Sequence, residues 1–148
     1  MSTQATVTLT RQSGYQFLID FGAGLPTVAA DEPPPLGAGA GPAPNHLLLA
    51  AVANCLSASL VFALGKFKQD PGALTATATA TMGRNSSNRL RIEAIQVALA
   101  LPKPGADLEH LDRVLAQFED FCTVSMSVKQ GIHIGVRVTD ANGVVLKG

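Results

Sequence analysis

The sequence predicts an α+β fold, and three observations carry that prediction. Segments in which apolar and polar residues alternate fall into two groups, one near the start of the chain and one in its second half. A long apolar stretch that carries no charge lies between them. A shorter amphipathic stretch interrupts the second group. Strands grouped in this way, and not alternating regularly with helices, give α+β rather than repeated βαβ units. The chain has 148 residues, the length of one domain spanning 1–148, and a domain of that size buries a core without staples.

The elements follow in order. Residues 4–10 alternate, residues 15–20 are rich in strand formers, and Arg11-Gln12-Ser13-Gly14 between them fits a hairpin loop. A third short strand is expected near Thr27–Ala30. Residues 33–44 are almost entirely Pro, Gly and Ala, which reads as a loop. A helix should run from about Pro44 to Phe67. Pro44 suits the first helical position, but Ala43 before it is a poor cap, so the start is expected to lack a side-chain seal. From Leu47 to Leu64 eighteen residues carry no charge. That meets the minimum length of a membrane span. Asn54, Ser57 and Ser59 interrupt the stretch, and the flanks favour a helix buried on nearly all sides of a soluble fold.

After the helix, residues 73–83 alternate strictly with Thr, and residues 89–101 alternate again. Both read as strands with one buried face, joined by a polar turn at residues 84–88. Leu108, Leu111, Leu115, Phe118 and Phe121 form a stripe that predicts a helix over 108–121. A short helix at 123–129, a strand at 132–138, a turn at 140–143 and a last short strand complete the pattern.

Charge narrows the partners. Formal net charge is zero, which favours neither nucleic acid nor an anionic membrane surface. Residues 1–65 hold four charged side chains, Arg11, Asp20, Asp31 and Glu32. A half so poor in charge must cover apolar surface, and a second copy of the chain is the natural source of that cover. The N-terminus lacks a basic region followed by an apolar run, which predicts a cytoplasmic, reducing address.

Two cysteines are too few for a disulfide scaffold. Cys55 lies in the middle of the apolar helix, where a cysteine often packs as a small inert hydrophobe. Cys122 opens the segment after the amphipathic stripe. There it is either a core residue at a helix end or a thiol beside a following helix N-terminus, whose partial charge favours the thiolate. Sixty-six residues separate the two sulfurs, and there is no CxxC pair. His46, His110 and His133 are scattered, so no metal is expected.

Two segments raise the prospects of both thiols. Gly41-Pro-Ala-Pro-Asn-His-Leu-Leu-Leu-Ala-Ala-Val-Ala-Asn-Cys55 and Phe121-Cys-Thr-Val-Ser-Met-Ser-Val-Lys-Gln-Gly-Ile132 together resemble the paired signature of the OsmC/Ohr superfamily. The resemblance spans the chain in length and element order. It implies antiparallel sheets packed around a long central apolar helix in an intertwined homodimer. It also implies thiol peroxidase chemistry without a cofactor, with Cys55 attacking a hydroperoxide and Cys122 resolving the sulfenic acid as a disulfide. A dithiol, either a lipoylated protein or a small thiol, then restores the pair.

Physics adds a condition. A free thiol titrates near about 8.5 and is mostly protonated at neutral pH. Cys55 lies eleven residues beyond Pro44, too deep for the helix dipole to act. A cation is needed, and the resemblance assigns it to an Arg from an N-terminal loop, here Arg11. Lys129, Arg84, Arg89 and Arg91 are the alternatives. The family holds its Arg with a Glu at the start of the central helix. This chain has Asn45 and His46 there, and no carboxylate from Pro33 to Lys66. Two readings follow. One is a peroxidase for organic hydroperoxides or hydrogen peroxide. The other is a non-catalytic redox sensor or apolar-ligand binder.

Overall fold

The computed structural model describes residues 2–148. The fold is α+β, and the chain divides by its packing into two compact units, residues 1–48 and 49–148.

The first unit is an antiparallel meander of β1 (Thr8–Ser13), β2 (Gln16–Asp20) and β3 (Val28–Ala30). The turn between β1 and β2 is tighter than expected. Strand pairing continues through Arg11 and Ser13, opposite Phe17 and Gln16, with a register irregularity between them. Arg11 is therefore a strand residue. Gly14, with φ 51°, makes the corner that residues with a Cβ seldom make.

The Pro- and Gly-rich stretch after β3 is an ordered strap built around Asp31. That side chain is 3% exposed. Its Oδ1 accepts from the Glu32 amide at 2.8 Å, and its Oδ2 accepts from the amides of Ala38 and Ala40 at 3.2 and 3.1 Å. These donors, Ala40 foremost, hold the carboxyl below the ordinary carboxylate range against the opposing effect of burial. The strap then returns to β3, where the Asp31 amide donates to the Pro42 carbonyl at 3.1 Å. Small residues are required here because the backbones nearly touch. A Cβ on Gly41 would run into the Ala29 carbonyl.

Helix α1 spans Pro44–Gly65. Its N-terminus is sealed after all. His46, third in the helix, turns back so that its Nδ1 accepts from the Ala43 amide at 3.0 Å. This is the position from which Glu or Gln closes a capping box, and here an imidazole nitrogen serves as the acceptor. The helix ends two residues earlier than expected. Lys68 adopts φ 58° in the turn that follows.

The second unit holds a four-stranded sheet in the order β4 (Thr75–Arg84), β5 (Leu90–Ala100), β6 (His133–Thr139) and β7 (Val145–Lys147). Alternation works as expected in β5, where Ile95, Val97 and Leu99 are buried between exposed neighbours. In β4 the inward Ala78 and Ala80 are half-buried. The pairings are antiparallel except β5 with β6, which run parallel. A parallel pair cannot be closed by a hairpin. Residues 101–132 make the crossover, and they carry α2 (Leu111–Gln117) and α3 (Thr123–Val128). The helix expected over 108–121 is thus broken into a 3-10 turn at Gly105–Asp107, α2, and a second 3-10 turn at Phe118–Phe121. His110, at φ 58°, interrupts the winding. The stripe survives the break, and Leu108, Val114, Leu115 and Phe118 are buried.

The strap gives a direct test. Gly41→Ala should destabilise the protein by about 1–3 kcal/mol, the usual cost of overpacking. Its thermal midpoint should fall by several degrees in a melting scan. Gly131→Ala, where a Cβ meets open space, should leave the midpoint near that of the wild type.

Candidate active site

Helix α1 buries one stripe, Val52, Leu56, Ser59, Leu60, Ala63 and Leu64. The expected burial on nearly all sides is not found within a single chain. Ala50, Ala51, Asn54, Ala58, Val61 and Phe62 are exposed. Cys55 stands at the border of the two regions and is half-buried. Of the face expected around it, Val52 and Ser59 are buried, while Ala51, Ala58 and Phe62 face outward.

Cys55 lines a shallow cleft of about 430 Å³ with Ala58, Ser59, Phe62 and Phe121. Two aromatic rings close one side. Phe62 and Phe121 meet edge to face with centroids 5.3 Å apart and planes at 82°, a favoured geometry for aromatic pairs. Phe121 comes from the 3-10 turn that leads into Cys122. The cleft and the second cysteine are therefore set by the same short segment.

Cys122 is fully buried. It is the residue preceding α3, and its Sγ accepts from the Ser125 amide at 3.3 Å. It also lies within hydrogen-bonding reach of Cys55. Burial is the largest influence on its acidity and pushes the thiol up, and the bond to Cys55 pushes the same way. The Ser125 side chain and amide pull it down, but less. The helix-end position expected to favour a thiolate is real, yet desolvation outweighs it.

The other residues named from the sequence have these positions. Arg11 is exposed in β1, and its Nε donates to the Gly14 carbonyl at 2.9 Å. It belongs to the first unit and Cys55 to the second. Asn45 is exposed in the first turn of α1, and the imidazole of His46 caps that turn. The first turn contains no acidic residue. His110 stacks on Phe67 with centroids 4.7 Å apart, and His133 opens β6. Among the described residues no cluster of three His, Cys, Asp or Glu side chains could hold a metal ion.

Sequence reasoning missed Lys66. Its Nζ lies 4.2 Å from the Phe121 ring centroid and 5.2 Å from that of Phe62. The signal was present, because eleven residues are close to three helical turns and return to the face of Cys55.

Comparison with known proteins agrees with this architecture. The family described as OsmC-like protein matches residues 37–137. No curated protein matches the chain. Among solved structures, an OsmC-like protein from Mycoplasma pneumoniae superimposes with a TM-score of 0.76 at 16% identity, over 95% of this chain and 99% of the other. An organic hydroperoxide resistance protein from Elizabethkingia anophelis, with thiocyanate bound, gives 0.72 at 20% identity over 95% and 99%. The organic hydroperoxide resistance protein OhrB of Bacillus subtilis gives 0.67 at 14% identity over 90% and 98%. At these identities the likeness is one of fold.

The two thiols should differ sharply in reactivity. Iodoacetamide at mildly alkaline pH should label Cys55 in the folded protein and reach Cys122 only after denaturation. Peptide mass mapping before and after guanidinium addition reads the difference. Equal labelling of both in the folded state would contradict the buried position of Cys122.

Proposed function

The chain belongs to the OsmC-like protein family, and we propose that it is a cysteine-based thiol peroxidase that reduces organic hydroperoxides in oxidative-stress defence. The observation that carries this reading is the placement of Cys55. It is half-exposed in an apolar cleft and within hydrogen-bonding reach of a second, buried thiol. The hydroperoxide resistance proteins of the same fold support it.

The chemistry needs four events. The Cys55 thiolate attacks the terminal oxygen of the hydroperoxide. An S–O bond forms, the O–O bond breaks, and the departing alkoxide takes a proton to leave as an alcohol. Cys55 is then a sulfenic acid. The Cys122 sulfur attacks Cys55, an S–S bond forms, and the hydroxyl leaves as water with the thiol proton. A dithiol, lipoylated or small, reduces the disulfide and is itself oxidised. The raised pKa of Cys122 fits the resolving role, since a thiol held protonated does not compete for the peroxide. The apolar lining favours organic hydroperoxides over hydrogen peroxide. Arg11 is the cation proposed for the Cys55 thiolate, on the sequence argument alone.

The whole chain is proposed to act as one domain in a cytoplasmic homodimer. The uncovered apolar residues of α1, with Val61 and Phe62 at 45% and 56% exposure, support a second copy as cover. Sedimentation at micromolar concentration should show a dimer, and a stable folded monomer would remove this part of the reading.

One equivalent of cumene hydroperoxide should convert the wild type to an intramolecular disulfide. Cys122→Ser should trap a sulfenic acid on Cys55 that a dimedone probe captures, and Cys55→Ser should leave Cys122 largely unreacted. If Cys122 oxidises first, the roles are reversed. The second reading, a non-catalytic redox sensor or apolar-ligand binder, draws on the absence of an acidic residue in the first turn of α1. It predicts stoichiometric oxidation without turnover when a dithiol is supplied.

A further inference from the structure

We infer that Lys147 is a positioning residue of the thiol pair: it pins the turn that presents Cys122, and so sets how readily the Cys122 sulfur closes on Cys55. The choice of oxidant rests on the peroxidase reading above. The closure rests on geometry and applies to any oxidant of the pair.

Cys122 follows a weakly wound stretch of chain. The 3-10 turn Phe118–Phe121 leads into it, and 3-10 hydrogen bonds have poorer geometry than those of an α-helix. Helix α2 stops at Gln117, and the last carbonyls of a helix need donors from elsewhere. Lys147 supplies one. Its Nζ donates to the Leu115 carbonyl at 2.7 Å, pairs with the Glu119 carboxylate at 2.5 Å and lies 5.2 Å from the centroid of the Phe118 ring. These contacts straddle the join between α2 and the 3-10 turn, where a cation is also favoured by the helix dipole. From Glu119 one backbone hydrogen bond leads on to the thiol residue, since the Cys122 amide donates to the Glu119 carbonyl at 3.0 Å. The other end of the tie is fixed. Lys147 belongs to β7 and pairs with Val138 of β6, which is fully buried. A single side chain thus links the end of the crossover to the sheet.

The closure is sensitive to such a link. Cys122 lies within hydrogen-bonding reach of Cys55, whereas the sulfurs of a disulfide stand about 2.05 Å apart. The remaining approach is short, and in steps of this kind a misplacement of about 1 Å can cost about 100-fold in rate. The Ser125 amide, donating to the Cys122 Sγ at 3.3 Å, fixes the sulfur against α3. Lys147 fixes the chain on the other side. As the Cys122 sulfur attacks, the S–S bond forms, the S–O bond of the Cys55 sulfenic acid breaks, and the hydroxyl leaves as water with the thiol proton. A turn freed from Lys147 samples positions from which the sulfur does not reach, and closure slows.

The test is a competition. Protein is treated with cumene hydroperoxide in a fixed concentration of dimedone, and mass spectrometry reads the ratio of Cys55 adduct to disulfide. That ratio reports closure and not the rate of the first oxidation. Lys147→Met keeps an apolar stem over Phe118 but loses the charge and the donor, and it should raise the ratio about fivefold. Lys147→Arg should stay within about twofold of the wild type, since it keeps both. Glu119→Gln should raise the ratio by a smaller factor and add nothing to Lys147→Met in the double variant. An unchanged ratio in Lys147→Met would overturn the inference, as would a ratio in Lys147→Arg equal to that in Lys147→Met. A second arm needs no peroxide. In mixtures of reduced and oxidised glutathione, the Cys55–Cys122 disulfide should be about fivefold less favoured in Lys147→Met than in the wild type. If the hydroperoxide oxidises neither thiol but this equilibrium shifts, the peroxidase reading fails and the positioning role stands. An equilibrium that does not shift removes the positioning role, whatever the hydroperoxide does.

Discussion

A helix with no charge for eighteen residues must find apolar cover, and a single chain supplies that cover along one stripe only. Within one chain α1 buries a single stripe, from Val52 to Leu64. At ~25 cal/mol per Å², the large side chains of that stripe supply much of what holds the helix in place. Cys55 falls at its margin. A residue one position on, Leu56, is fully buried, and one position back, Asn54, is exposed. The sulfur is thus held by the core on one side and open to a ligand on the other. That division of surroundings suits the attacking role proposed for Cys55.

The second sulfur is positioned by different physics. Cys122 stands where a 3-10 turn hands over to α3, and its place is fixed by the Ser125 amide and by complete burial. Local hydrogen bonding favours its thiolate, while desolvation favours its thiol, and the second effect is larger. Two cysteines in contact therefore experience unlike environments. The asymmetry lies in access: Cys55 lines an open cleft, whereas Cys122 is shut away from solvent.

Much of this was legible in the sequence, and the parts that were not share a cause. Strands β4 and β5 were visible because Thr–Ala and apolar–polar alternation state which residues share a face. Alternation does not state the direction of a neighbouring strand, so the parallel pairing of β5 with β6 could not be read from it. Of the stripe Leu108, Leu111, Leu115, Phe118 and Phe121, the first, third and fourth are buried, Leu111 is half-buried, and Phe121 is exposed. Spacings of three and four residues suit α and 3-10 winding alike, so the stripe concealed the break at His110. The cap on α1 was missed because His is not the residue type expected to reach back to Ala43. The Asp31 strap was missed because Pro- and Gly-rich composition reports conformational permission and not the carboxylate that gathers the chain. Lys66 was not singled out, since its placement depends on two rings drawn from separate segments.

The parallel pairing of β5 and β6 has a consequence for the order in which the thiol pair comes into being. Cys122 lies in the crossover that this pairing makes necessary, and the strand that closes the crossover is β6, later in the chain than either sulfur. During synthesis Cys55 emerges first, followed by the hairpin of β4 and β5, which is local and closes quickly. Cys122 lies between two strands whose pairing has a long sequence separation, a kind of contact that forms more slowly than a hairpin. The two sulfurs are thus strangers in the nascent chain and neighbours only in the finished one. Their native placement side by side therefore rests on pairing between segments far apart in the sequence.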